Sequence, residues 1–172
     1  LMPPLVPPTA MLDPAKHVKP FVYASATTKA LHFSMNEIQS RMALADPYAL
    51  DLEYTRTMMG FLLLRPDPKR IVMIGLGGGS LAKFCHRHLP GASIQVAEIN
   101  PHVIALRDEF HVPPDDARLQ VLHTDGANFV REDTAGADVL IVDGFTTDGL
   151  PARLSSQRFY DACAQMLGAD GV

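Results

Sequence analysis

The chain has 172 residues, 47% of them hydrophobic and 20% charged, the balance of one globular domain or a core with a small appendage, and far from that of a disordered chain. A formal net charge of -4 and a pI of about 5.9 argue against the broadly basic face of a nucleic-acid binder, and the longest apolar runs, such as residues 61–64, are far too short to cross a bilayer. No charged segment followed by an apolar stretch opens the chain, so no signal peptide is expected, and Cys85 and Cys163 read as buried, reduced thiols suited to a cytoplasmic protein.

Residues 1–20 hold Pro3, Pro4, Pro7, Pro8, Pro14 and Pro20; proline lacks an amide donor and resists helix and sheet, which predicts an extended arm. Residues 21–66 are expected to form an N-terminal β unit with a connecting helix. Short apolar pieces at 21–23, 30–33 and 38–42 read as strands of a small antiparallel sheet. Asp46-Pro47 predicts a helix start, with Asp as N-cap and Pro at the first helical position. Leu50, Tyr54, Met58 and Leu62 recur every four residues, so that helix is expected to run to about Leu64 with these four packed inward.

From 67 to 172 the rhythm is strand, helix, strand, helix. Strands are expected at 71–74, 94–99, 119–122 and 138–143. Helices are expected after Ser80, with Leu81, Phe84, Cys85, His88 and Leu89 on one face; after Asn100-Pro101, carrying Val103, Leu106 and Phe110; and after Ser155 or Ser156, with Phe159, Ala162, Cys163 and Met166 inward. This spacing predicts an α/β fold: a Rossmann-like, class I methyltransferase-type parallel sheet, preceded by the small antiparallel unit. The core reads as truncated at its C-terminal end, since Gly171-Val172 stands where a further strand would begin.

In such a sheet ligands bind beyond the carboxyl ends of the strands. The loop Gly75-Leu76-Gly77-Gly78-Gly79-Ser80 lies at that end of the first core strand, where glycine lets a ligand approach the backbone. Glu98 ends the next strand, placed to accept the hydrogens of two ribose hydroxyls. Ser80 stands where the dinucleotide pattern has its third glycine, which disfavours a nicotinamide cofactor. After the third strand, Asp125 before Gly126 fits two roles equally: acceptor from an adenine amino group, or cap of the following helix.

The order of these motifs resembles the polyamine aminopropyltransferases, the spermidine synthase family, in a divergent branch. The matching pieces are Ile38-Gln39-Ser40, the Gly75 to Ser80 loop, Glu98-Ile99-Asn100-Pro101, Asp125-Gly126, Asp143 followed by Gly149-Leu150-Pro151-Ala152, and Phe159-Tyr160. The resemblance covers roughly residues 20–172. It implies a homodimer and a donor that is decarboxylated S-adenosylmethionine or S-adenosylmethionine, with methylthioadenosine or S-adenosylhomocysteine as product. It implies cofactor contacts at Gln39, Gly75, Gly77, Gly78, Gly79, Glu98, Ile99, Asp125 and Gly126, and places Asp143 as the catalytic acid. Tyr54 and Asp148 are weaker substrate candidates. The resemblance also has gaps. The family carries an acid inside the glycine loop, where Gly78 stands; a Tyr-His-Glu run, where Thr55-Arg56-Thr57 stands; and a Ser/Thr-Asp-Pro run after the catalytic acid, where residues 144–148 intervene. Each gap removes a group that would recognise an amine.

Cys85-His86-Arg87-His88 does not read as a metal site, because on a helix His86 points away from Cys85 and His88. Met35, Met42, Met58 and Met59 read as core filling, Asp115-Asp116 as a solvated turn, and Arg153 and Arg158 as surface residues. The expected function is aminopropyl transfer from a sulfonium nucleoside to a small-molecule amine or other small acceptor, with no nucleic acid and no membrane partner. The alternatives are methyl transfer, or a binding or dimerisation module that has lost its chemistry.

Overall fold

The four apolar residues Ile71 to Ile74 are all buried, and alternately so. Ile71 and Met73 join one apolar cluster, Val72 and Ile74 another. A strand with both faces covered is the mark of a parallel sheet between layers. The computed structural model, which describes residues 8–146 and 148–172, shows that sheet: β4 (Arg70–Ile74), β5 (Ser93–Glu98), β6 (Leu119–His123) and β7 (Val139–Val142). All its pairings are parallel, in the order β6-β5-β4-β7. Helix α3 (Ser80–His88) connects β4 to β5, and the short α4 (Pro101–Ile104) lies between β5 and β6. The chain then runs through α5 (Gly126–Glu132) and crosses to the other side of β4 before α6 (Gln157–Leu167). The direction of winding reverses at β4, and the tips of β5 and β7 flank its carboxyl end.

Three antiparallel strands precede this sheet: β1 (Phe21–Ala24), β2 (Thr28–Ser34) and β3 (Glu37–Ala43), in the order β1-β2-β3. One face of the unit sits on the first cluster through Leu31 and Met42, 0% and 1% exposed. Burying side chains of this size contributes about 2 kcal/mol each.

Three expectations differ. The described part of the N-terminal segment is not fully extended. Pro8–Met11 forms one helical turn, α1, and Pro14–Lys16 a 3-10 turn capped by the Asp13 carboxylate, which accepts from the Ala15 N–H at 2.9 Å. Proline at a first helical position costs no hydrogen bond. The rest of the predicted arm, residues 1–7, lies outside the described residues.

The helix expected from Asp46 to Leu64 is α2 (Glu53–Met58) followed by a 3-10 stretch, Met59–Leu63. Asp46 accepts instead from the Tyr48 N–H at 3.2 Å, a local turn. The Arg56 Nε donates to the Leu50 carbonyl at 2.8 Å and fixes the approach to α2 from outside it.

In α3 the buried residues are Ser80, Leu81, Ala82, Lys83 and Cys85, whereas His88 is exposed and Phe84 half-buried. The helix is covered on two sides, by the sheet and by β3, so the buried arc is wider than the expected stripe. Lys83, 1% exposed, heads the large buried side chains; its Nζ donates to the Phe110 carbonyl at 2.7 Å and lies 6.0 Å from the Tyr48 ring centre.

Burial disfavours the ammonium and brings the Lys83 pKa down from 10.5 to about 8. Below pH 8 the folded protein bears the cost of a buried charge. Between 8 and 10.5 the unfolded chain binds more protons than the folded one, so stability rises with pH. Above 10.5 the penalty is gone. We therefore expect Lys83→Met to remove a pH-dependent difference of about 3 kcal/mol across this window, measured by urea unfolding of both proteins at each pH. The comparison must be between the two proteins. Burial raises the thiols of Cys85 and Cys163 from 9.0 to about 12 and about 11, which lowers stability above pH 9 in both. A constant offset between them would show that Lys83 does not titrate in this range.

Candidate active site

The reversal at β4 makes a crevice of about 340 Å³ at the carboxyl end of the sheet, within the range of small-molecule sites. Gly75 follows β4, Glu98 ends β5, Asp125 stands two residues beyond β6 and Asp143 follows β7, so four chain-distant positions meet there.

Gly75 has φ +94°, and a Cβ on it would lie 2.3 Å from the Asp143 carbonyl oxygen. The Asp143 N–H in turn donates to the Ile74 carbonyl at 2.8 Å. The loop therefore passes against the backbone at Asp143 with no room for a side chain. Gly77 also has positive φ (+53°) and borders the crevice. Gly78 and Gly79 are not among the residues that line it. A Cβ at Gly78 would fall 2.6 Å from the Ser40 Oγ and 3.0 Å from Phe110, and one at Gly79 2.3 Å from Val112. These two glycines let the loop pack on β3 and on the chain after α4.

Glu98 is 7% exposed. Its Oε2 accepts from the Leu76 N–H at 2.8 Å and its Oε1 from the Asn100 N–H at 2.7 Å. Burial pushes its pKa up, opposed by those two N–H groups and by the nearby His17. Each oxygen has a lone pair beyond the one the backbone uses, so the carboxylate stays able to accept from a diol. Ile99, half-buried, borders the same crevice.

Asp125, 6% exposed, is the cap of α5: its Oδ1 accepts from the Asn128 N–H at 2.8 Å. Gly126 packs its backbone on Ile74, with a Cβ position 2.4 Å from that side chain. Gln39 reaches the crevice from β3, and its carbonyl accepts from the Tyr54 hydroxyl at 3.4 Å.

Tyr54 is not a packing residue. The short α2 stands at the rim of the crevice, and the Tyr54 hydroxyl lies 3.3 Å from the Asp143 Oδ2, within donating distance. Burial, then the Asp143 charge, push Tyr54 well above the usual phenol range, so it stays a donor. Burial also raises Asp143, opposed by this hydrogen bond. A half-desolvated carboxylate of raised pKa, held by a neutral donor, is a competent proton acceptor. Asp148 is exposed and borders the crevice from the loop after β7.

Two features are absent from the sequence reading. Arg153, expected on the surface, reaches across to Asp125: its Nε lies 3.2 Å from Oδ2 and its Nη2 3.2 Å from Oδ1. The other is the N-terminal segment, which lies over the crevice and brings Met11, Lys16, His17 and Val18 to its lining. The Asn100 side-chain amide donates to the Val18 carbonyl at 2.9 Å, and the His102 Nε2 lies 3.0 Å from the Pro14 carbonyl. Asn100 and His102 could have hinted at this; nothing in the segment's own composition does. Among the described residues no group of His, Cys, Asp and Glu could hold a metal ion, and no helix is long and apolar enough to cross a membrane.

A family model, the spermine/spermidine synthase domain, matches residues 51–172. A polyamine aminopropyltransferase of Chromobacterium violaceum is 40% identical over 162 residues, covering 92% of this chain and 62% of that protein. The chain thus spans less than two thirds of the length of the curated relatives it matches. In fold, a probable spermidine synthase from Corynebacterium glutamicum superposes with a TM-score of 0.74 at 21% identity, over 87% of this chain and 57% of that one. Human methyltransferase-like protein 13, solved with SAH, gives 0.62 at 25% identity over 70% and 62%.

Proposed function

The chain belongs to the spermine/spermidine synthase family, and from that premise we propose that its crevice binds a sulfonium nucleoside and transfers an aminopropyl group to a small amine. The observation that carries the proposal is the convergence of Glu98, Asp125 and Asp143 on one crevice at the winding reversal. The donor is decarboxylated S-adenosylmethionine and the product methylthioadenosine. On the same family ground the proposal includes a homodimer in the cytoplasm.

In this reading Glu98 accepts from both ribose hydroxyls, Asp125 faces the base, and the backbone at Gly75 and Gly77, with Gln39 and Ile99, encloses the rest. The donor supplies a positive sulfur with a neighbouring carbon open to attack. Asp143 draws the amine to that end of the crevice and takes its proton. The amine nitrogen forms the new bond to carbon, the carbon–sulfur pair goes to sulfur, and the sulfonium charge is lost. Tyr54 holds the Asp143 carboxylate in place, and Asp148 lies where a second ammonium would arrive. Orienting nucleophile and carbon supplies much of the remaining rate.

Calorimetry with methylthioadenosine, decarboxylated S-adenosylmethionine and S-adenosylmethionine tests the reading. We expect binding of the first two. Glu98→Gln, which loses charge-assisted acceptance of the diol, is expected to weaken it by about ten- to a hundredfold. No binding of any of the three at millimolar concentration would end the proposal.

One observation favours a second reading. The place of the family's loop acid is Gly78, and its side-chain volume is filled by Ser40 and Phe110, so no carboxylate there meets the ammonium of an aminopropyl chain. Preferential binding of S-adenosylmethionine would point to methyl transfer. A module without chemistry would bind a nucleoside and turn over neither donor.

A further inference from the structure

Residues 8–18 pass over the crevice and line it with Met11, Lys16, His17 and Val18, yet little holds them down. None of residues 9–20 is buried. The segment's backbone bonds close within it, from the N–H of Leu12 to Thr9, of Lys16 to Asp13 and of His17 to Pro14, and the His17 Nε2 donates to the Met11 carbonyl at 2.7 Å. Among the described residues, two hydrogen bonds join 8–18 to the rest of the protein. The Asn100 Nδ2 donates to the Val18 carbonyl at 2.9 Å, and the His102 Nε2 to the Pro14 carbonyl at 3.0 Å. Both donors stand at the start of α4, just after the acid that ends β5. Asn100 is 7% exposed and uses each of its polar groups. Its N–H donates to the Glu98 Oε1 at 2.7 Å, its Oδ1 accepts from the His102 N–H at 3.0 Å, and its carbonyl accepts from the Val103 N–H at 3.1 Å. One residue thus touches the carboxylate, the cap of α4 and the segment over the crevice.

Resting on the nucleoside reading above, we propose that residues 8–18 form a lid that lifts to admit the nucleoside and closes over it, and that Asn100 is the positioning residue that latches it. A segment with few buried contacts opens at a small cost in free energy, as a moving lid must. When it is closed, Met11 and His17 complete the wall of a crevice that Glu98 also lines. A bound nucleoside then makes contacts that exist only in the closed state, and these shift the population toward it. The latch is coupled to the occupant through one bond. Hydroxyls on Glu98 fix the carboxylate, which holds the Asn100 N–H and with it the side chain that grips Val18. The closed lid keeps water from the transfer, and it lifts again before the product leaves.

Hydrogen exchange and surface plasmon resonance with methylthioadenosine test this on the wild type, Asn100→Ser, His102→Leu and His102→Gln. Serine still caps α4 but does not reach Val18, and glutamine keeps a donor at 102. In the wild type we expect saturating ligand to slow exchange at the amides of 9–18 by at least about tenfold, the closing of a local opening. Asn100→Ser and His102→Leu should each speed ligand dissociation by about fivefold, the worth of one hydrogen bond. They should leave association no slower and lose most of that protection, which His102→Gln should restore in part. If the wild type binds methylthioadenosine with exchange at 9–18 unchanged, the inference fails and the nucleoside reading stands. Slower association at unchanged dissociation in the variants would also overturn it, since the two residues would then only shape a fixed site. If methylthioadenosine does not bind, both fall.

Discussion

Asp143→Asn should lower the rate of aminopropyl transfer by about 10²- to 10⁴-fold, the usual worth of a positioned proton acceptor, while methylthioadenosine still binds. The expectation rests on geometry that the substitution preserves. The backbone N–H at 143 still donates to the Ile74 carbonyl, and a side-chain oxygen remains for the Tyr54 hydroxyl. What is lost is the capacity to take a proton, together with the charge that draws the amine. Because burial raises the Asp143 pKa, the acid limb of the wild-type pH–rate profile should lie above the ordinary carboxylate range. Activity should climb as pH rises through that limb, and the variant's residual rate should lack it. The measurement is single-turnover formation of methylthioadenosine from decarboxylated S-adenosylmethionine and putrescine across pH 4 to 9 (about five decades of proton activity). An unchanged rate with an intact acid limb would show that another group takes the proton.

The second large effect is expected at Gly75, where alanine meets two penalties. The residue would be held at φ +94°, and its Cβ would lie 2.3 Å from a backbone oxygen that cannot rotate away. Conformational strain of about 1–3 kcal/mol and overpacking of about 1–3 kcal/mol together take a large share of the about 5–15 kcal/mol that keeps a domain folded. Gly149 provides the control, having φ +95° with none of the described residues within 4 Å of its Cβ position. Gly149→Ala should show the conformational part alone. Urea unfolding of both variants separates the contributions, and a Gly75→Ala cost no greater than that of Gly149→Ala would remove the clash from the account. Gly75→Ala should also push Asp143 away from Tyr54, so its activity should fall even where it is fully folded.

Much of this site could be read from the chain because the acids stand at strand tips. Apolar runs ending in Glu98 and Asp143, and Asp125 just beyond β6, give their positions once the sheet is known to be parallel. Glycines directly after an apolar run mark the loop in the same way. What failed had other causes. Tyr54 fits a four-residue repeat with Leu50, Met58 and Leu62, which predicts packing; but α2 is short and stands at the rim, so the repeat does not describe one buried stripe. Arg153 meets Asp125 across 28 residues, a pairing that no local pattern encodes. Lys83 is buried because β3 and the chain before Val112 close over α3, and a charged residue in a helical pattern gives no warning of that. Gly78 and Gly79 belong to the loop motif, but only the structure shows that they pack on Ser40, Phe110 and Val112.

The contact of Ser40 with the Gly78 backbone limits what the loop can hold. A side chain at position 78 meets a hydroxyl already standing in its volume, so Ser40 must turn aside and Phe110 give way before the loop residue can grow. The two segments are thereby coupled: a change in the loop is felt in the hairpin, and the room for a loop side chain is set by how the hairpin residue is turned.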